Sequence, residues 1–106
     1  MKFSVVINTY NRAKYLENTL SSLAYQTHQD FEVVIVNGPS TDHTLEVLNK
    51  YNHFIKVLSC PTGNLSISRN IGIKHASGEI IAFLDDDAIP IPRWLAALES
   101  GYNNPK

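Results

Sequence analysis

At 106 residues, with 43% hydrophobic and 18% charged content, the chain has the make-up of one globular domain and lies outside the low-hydrophobicity, high-charge regime of disorder. Nine Lys and Arg against ten Asp and Glu give a net charge of −1, which excludes an overall field for nucleic acid or an anionic membrane; any anion must be held locally. One cysteine, Cys60, excludes an intramolecular disulfide and reads as a small buried thiol, and the first apolar run is too short for a signal-peptide core or a membrane span. These features predict a cytoplasmic chain, free or peripheral to the inner face of a membrane.

The first apolar run, Phe3 to Ile7, predicts a strand. Behind it Ala13, Leu16, Leu20, Leu23 and Ala24 recur at steps of three and four, predicting a helix with Asn11 as its N-cap. Phe31 to Val36 predicts a second strand, and a second helix is expected from about Thr41 to Asn52, capped by Ser40, Thr41 or Asp42, with Leu45 and Leu48 inward. A third strand over Phe54 to Leu58 precedes a third helix, about Leu65 to Ala76, started by Asn64 or Ser66 and stopped by Gly78. Glu79 to Leu84 predicts the fourth strand, and a fourth helix begins near Pro92, carries Trp94, Leu95 and Leu98 toward the core, and ends at Gly101. The strands are nearly unbroken apolar runs, as in a parallel sheet covered on both faces. This order predicts an α/β fold of Rossmann-like alternating β-α units with a mainly parallel sheet, in which ligands sit at the carboxyl ends of the strands.

The polar residues after those strands therefore carry the functional reading. Asp85-Asp86-Asp87 directly follows a core strand, and three adjacent carboxylates repel unless solvated or neutralised. Asp85 and Asp87 share a face in extended chain, roughly 7 Å apart, while Asp86 points elsewhere; a divalent cation such as Mg²⁺ or Mn²⁺ would take one or two such carboxylates and complete its shell with water and substrate phosphates. A solvated turn capping the next helix is the alternative. Tyr10 can stack on a base and Arg12 can pair with a phosphate, or the two can be the exposed start of a capped helix. Gly72, costly inside a helix by about 1 kcal/mol, marks a close approach of either the sheet or a ligand. Arg69 and Asn70 face either a nucleotide or solvent, and His28, His43, His53 and His75 lack metal-ligand spacing.

SVVINTYNR (residues 4–12), VVIVNGPSTDHT (33–44) and ISRNIGIKHASGEIIAFLDDDAIP (67–90), in that order, resemble the opening strand, the second motif and the acidic motif of family 2 glycosyltransferases. The resemblance implies the donor-binding part of an inverting GT-A fold over residues 1–106. It places Thr9, Tyr10 and Arg12 around base and ribose, and Asp85 to Asp87 on ribose and on a cation, Mn²⁺ or Mg²⁺, bridging the diphosphate, with Asp87 the foremost metal ligand. Asn8 stands where the family often has Pro, and Asn37 and Gly38 stand where it usually has an acidic pair; the Asn37 amide still offers hydrogen bonds to a base. The expected partner is a nucleotide-diphosphate sugar, with an unassigned acceptor. No residue stands out as the base that deprotonates the acceptor, and the chain is expected to stop before it, leaving a sheet edge or apolar surface that favours self-association. Haloacid-dehalogenase and receiver-like folds carry their acids after the first strand, where this chain has Asn8 and Asn11. A domain that keeps the donor-site shape without catalysis is the remaining alternative.

Overall fold

A computed structural model describes residues 2–103. Eight elements alternate along the chain: β1 (Phe3–Thr9), α1 (Ala13–Leu23), β2 (Phe31–Asn37), α2 (Thr44–Lys50), β3 (Ile55–Ser59), α3 (Leu65–His75), β4 (Ile80–Phe83) and α4 (Trp94–Asn103). All strand pairs are parallel, in the order β3-β2-β1-β4. The α/β alternation and the parallel sheet read from the sequence are thus the observed architecture.

The two faces of the sheet bury separate sets of side chains. Phe3, Val5, Ile7, Val33 and Ile35 meet Leu16, Leu20 and Leu23 of α1, Val47 and Leu48 of α2, and Leu95 of α4. Val6, Val34, Val36 and Cys60 form the opposite cluster, with Ile71 of α3 against it. Each large aliphatic side chain buried this way contributes roughly 1.5–3 kcal/mol, so β1 and β2, buried on both faces, are the centre of stability. The outer strands differ from the two-faced burial expected of every run, because among the described residues β3 and β4 are the edges of the sheet. Val57 of β3 and Phe83 of β4 are exposed.

Several local expectations give way to tertiary packing. The second helix starts three residues later than Thr41, which turns Thr44, Val47 and Leu48 inward and leaves Leu45, expected in the core, 64% exposed. Gly78 does not stop α3, which ends at His75 with an extended Ala76 behind it. A Cβ at Gly78 would stand 2.6 Å from the Ser4 backbone nitrogen, so its glycine lets the chain enter β4 tightly against β1. Gly101 lies inside α4 rather than at its end. Gly72 is resolved in favour of the sheet: a Cβ there would sit 2.6 Å from Val6 Cγ1. Among the described residues no helix is long and apolar enough to cross a membrane.

Candidate functional site

In the order β3-β2-β1-β4 the chain moves outward from β1 through β2 to β3 and then returns to the other side of β1. The switch point therefore lies between β1 and β4, at the carboxyl ends of the strands, where such sheets open a crevice. Register decides which residues meet there. Val6 pairs with Phe83, and Leu84 N–H donates to the Val6 carbonyl at 3.0 Å. Three residues further along each chain Thr9 and Asp86 stand level, and the Thr9 hydroxyl donates to Asp86 Oδ2 at 3.0 Å.

Two adjoining hollows form one cleft around this contact. The first, about 210 Å³, includes Asn8, Thr9, Tyr10, Arg12, Gly38, Gly63 and Asp86. The second, about 310 Å³, shares Asn8, Arg12 and Asp86 and adds Arg69, Phe83, Asp85 and Asp87. Tyr10 is wedged edgewise: a Cβ at Gly38 would lie 3.2 Å from its Cδ1 and one at Gly63 would lie 3.0 Å from its Cε2. The two glycines thus leave the ring a slot and an exposed surface. Seven of the nine residues singled out in the sequence, Thr9, Tyr10, Arg12, Arg69, Asp85, Asp86 and Asp87, line the cleft, and Asn70 is exposed on α3 outside it. Asn37 does not line it either; it is buried, and its Oδ1 accepts a hydrogen bond from the Ser40 hydroxyl at 2.7 Å.

The charges are arranged around Arg12. Its Nη2 lies 3.0 Å from Asp87 Oδ2 and its Nε 3.7 Å from Asp86 Oδ1, and its guanidinium lies 4.8 Å above the Tyr15 ring. The Nε is buried and has no hydrogen-bond partner among the described residues. Burial pushes the Asp86 carboxyl above its ordinary value, the Thr9 hydrogen bond and Arg12 oppose that push, and the charges of Asp87 and Asp85 add to it. One neighbouring positive charge, Arg12, thus faces three adjacent carboxylates. The carboxylates that share a cationic partner here are Asp86 and Asp87, whereas extended-chain spacing paired Asp85 with Asp87. Among the described residues no three His, Cys, Asp or Glu side chains gather to enclose a metal. A loop offering one or two hard carboxylate oxygens, with a guanidinium already standing in as cation, fits Mg²⁺ or Mn²⁺ that keep water and phosphate ligands.

The loop is held in place by residues that pattern reading passed over. Thr19, buried in α1, donates its hydroxyl to the carbonyls of Asp86 at 3.0 Å and Ala88 at 2.7 Å. Gln26, buried just past α1, donates to the Ile91 carbonyl at 2.7 Å and accepts from Leu95 N–H at 3.1 Å, fixing the start of α4. Asn8 Nδ2 donates to Ser68 Oγ at 2.6 Å, tying β1 to α3 beneath the cleft. For Thr19 the one available signal was polarity on a helical face predicted to be buried.

The profile of glycosyl transferase family 2 matches residues 4–105. The chain belongs to this family. Poly(ribitol-phosphate) beta-N-acetylglucosaminyltransferase TarS of Staphylococcus aureus is 41% identical over 93 residues, covering 82% of this chain and 16% of that protein. The crystal structure of S. aureus TarS 1-349 in complex with UDP-GlcNAc matches with a TM-score of 0.87 at 39% identity, over 94% of this chain and 30% of that one. Mannosyltransferase PcManGT from Pyrobaculum calidifontis, in complex with GDP-Man and Mn²⁺, matches with a TM-score of 0.89 at 26% identity, over 97% of this chain and 32% of that one. The fold is therefore that of GT-A glycosyltransferases, and the chain spans less than a third of the length of these three, 16%, 30% and 32%.

Proposed function

We propose that this chain is the donor-binding part of a glycosyltransferase that moves a sugar, with inversion, from a nucleotide-diphosphate sugar to an acceptor hydroxyl, assisted by Mn²⁺ or Mg²⁺. The observation that carries the reading is the junction of the two loops: Thr9 bonded to Asp86 and Arg12 paired with Asp87 close one cleft at the switch point. In this assignment the exposed surface of Tyr10 stacks on the base. Asp86 accepts from ribose hydroxyls, and Arg12 and Arg69 face the diphosphate. Asp87, with Asp85, holds the cation, which when bound neutralises charge on the leaving diphosphate. Asn37 acts indirectly, through Ser40, rather than on the base. No cleft residue among those described is assigned to the acceptor or to the base that deprotonates it.

Uridine diphosphate is the first nucleotide to test, because TarS, at 39% identity, was crystallised with UDP-GlcNAc; GDP, from GDP-Man in PcManGT, is the second. Calorimetric titration of the chain with each, with and without Mn²⁺, should show metal-dependent binding to one of them, weakened about tenfold or more in Asp87→Ala. Equal binding by Asp87→Ala, or no binding to any nucleoside diphosphate, overturns the assignment.

A further inference from the structure

Asn11 stands between Tyr10 and Arg12, and it is the one non-glycine residue with positive φ among those described, at 54°. The sequence marks it as the cap of α1, yet Arg12 occupies the N-cap position and makes no side-chain cap bond. Asn11 instead faces the neighbouring β2–α2 loop. Its Oδ1 accepts from the backbone N–H groups of Thr41 at 2.7 Å and Asp42 at 3.3 Å, and its own N–H donates to Ser40 Oγ at 3.0 Å. That hydroxyl in turn donates to Asn37 Oδ1.

Asp42 completes the exchange in the other direction. Its Oδ2 accepts from Ala13 N–H, the first residue of α1, at 3.2 Å, and its Oδ1 accepts from Thr44 N–H, the first residue of α2, at 3.0 Å and from the Thr44 hydroxyl. One carboxylate thus satisfies amide donors at the starts of two helices that have no partner within their own helix. Gly38 N–H donates to the Thr9 carbonyl at 2.9 Å, closing the two loops on the Tyr10 side. None of Asn11, Ser40 or Asp42 lines the cleft.

We propose that Asn11 and Asp42 are positioning residues of the donor site: by bonding the β1–α1 and β2–α2 loops into one body they aim Tyr10 and Arg12, the residues on either side of Asn11, into the cleft. This rests on the donor-site reading above. Asn tolerates the left-handed backbone better than most side-chain-bearing residues, and here its carboxamide holds the opposite loop. Without that hold the turn loses its partner, Tyr10 and Arg12 sample several placements, and the ordering lost must be restored each time a nucleotide binds.

Asn11→Gly keeps access to positive φ and deletes the carboxamide. It should weaken UDP binding in Mn²⁺ by about tenfold, the scale set by having to order one or two side chains on binding. Affinity for Mn²⁺ alone should not fall, because Asp85 and Asp87 lie on another loop. In a Tyr10→Ala background the same substitution should have less than about half its effect, since residues acting through one another are not additive. Asn11→Gly that binds like wild type, full additivity with Tyr10→Ala, or a loss explained by a matching fall in melting temperature overturns the proposal. A wild-type chain that binds no nucleotide takes the donor-site reading down with it, whereas normal wild-type binding with an indifferent Asn11→Gly removes this inference alone.

Discussion

Arg12 is the residue on which the donor-free site turns. Its ion pair with Asp87 is half exposed on both sides, at 42% and 50%, and exposed pairs of this kind contribute only about 0–1 kcal/mol. The contact is therefore easily given up, and the guanidinium is free to turn to a diphosphate when one arrives. Two effects of opposite sign follow for Arg12→Met. Mn²⁺ alone should bind a few-fold tighter, because a competing cation has gone. A nucleoside diphosphate with Mn²⁺ should bind about tenfold weaker, because a charge-assisted partner has gone. Calorimetry on the two ligands separates them; a variant in which both affinities fall together shows that Arg12 supports the acid loop instead of competing for it. Arg12, Tyr10 and the three acids were legible in the sequence because their chemistry is carried by residue type. The cap on α1 was not, because Asp42 supplies it from another loop, 29 residues away in the chain. Nor was the role of Asn37 legible, since its direction depends on Ser40.

At the scale of elements, α3 shows a local preference overridden by packing. Replacing Gly72 by Ala gains about 1 kcal/mol of helix propensity. Against that, the new methyl would lie 2.6 Å from Val6 Cγ1 and 3.4 Å from Val36 Cγ2, both on fully buried side chains of the sheet. Overpacking a core contact costs typically about 1–3 kcal/mol, so the clash wins and Gly72→Ala should melt several degrees lower. In a Val6→Ala background, where the added methyl has room, Gly72→Ala should cost less than it does in the wild type; an unchanged or raised melting temperature in Gly72→Ala alone means α3 shifts freely on the sheet. That close approach could be read from one glycine in a helical pattern, though only the structure tells sheet from ligand. The alternation of strands and helices was legible for the same reason the core is: apolar runs and three-four spacing record burial directly. Helix ends were less so. The start of α2 is displaced by Asp42 serving two helices, and the anchors Thr19 and Gln26 bond to carbonyls 67 and 65 residues away, where no local pattern points.

At the scale of the whole molecule, carboxylates that stabilise the fold are separated from the one that strains it. Hydrogen bonding by Thr44 leads in holding the Asp42 carboxyl below its ordinary value of 3.8, with burial opposing and the N–H groups of Ala13 and Thr44 assisting. Burial pushes Glu32 up, yet hydrogen bonds from Ser4 and Ser77 outweigh it and leave the carboxyl below its ordinary 4.5. Glu32 ties the entry of β4 to β1 at the end of the sheet opposite the cleft, through Ser77 N–H and the Ser4 hydroxyl. A depressed carboxyl stabilises the fold above its unfolded value and ceases to do so as pH falls through the folded one. Asp86 works the other way: raised chiefly by burial, its ionised form costs stability at neutral pH, and that cost disappears as pH falls through the raised value toward 3.8. Asp86→Asn should therefore melt no lower than wild type at pH 7 while losing nucleotide affinity, and its advantage should shrink as the pH approaches 4. Glu32→Gln should melt below wild type at pH 7, with the gap closing only beneath 4.5. Thermal melts of the three proteins across pH 3 to 7 check both slopes. If Asp86→Asn is the less stable at neutral pH, its bond to Thr9 and its pairing with Arg12 outweigh burial, and the acid loop is part of what holds the fold rather than a charge held ready for a cation.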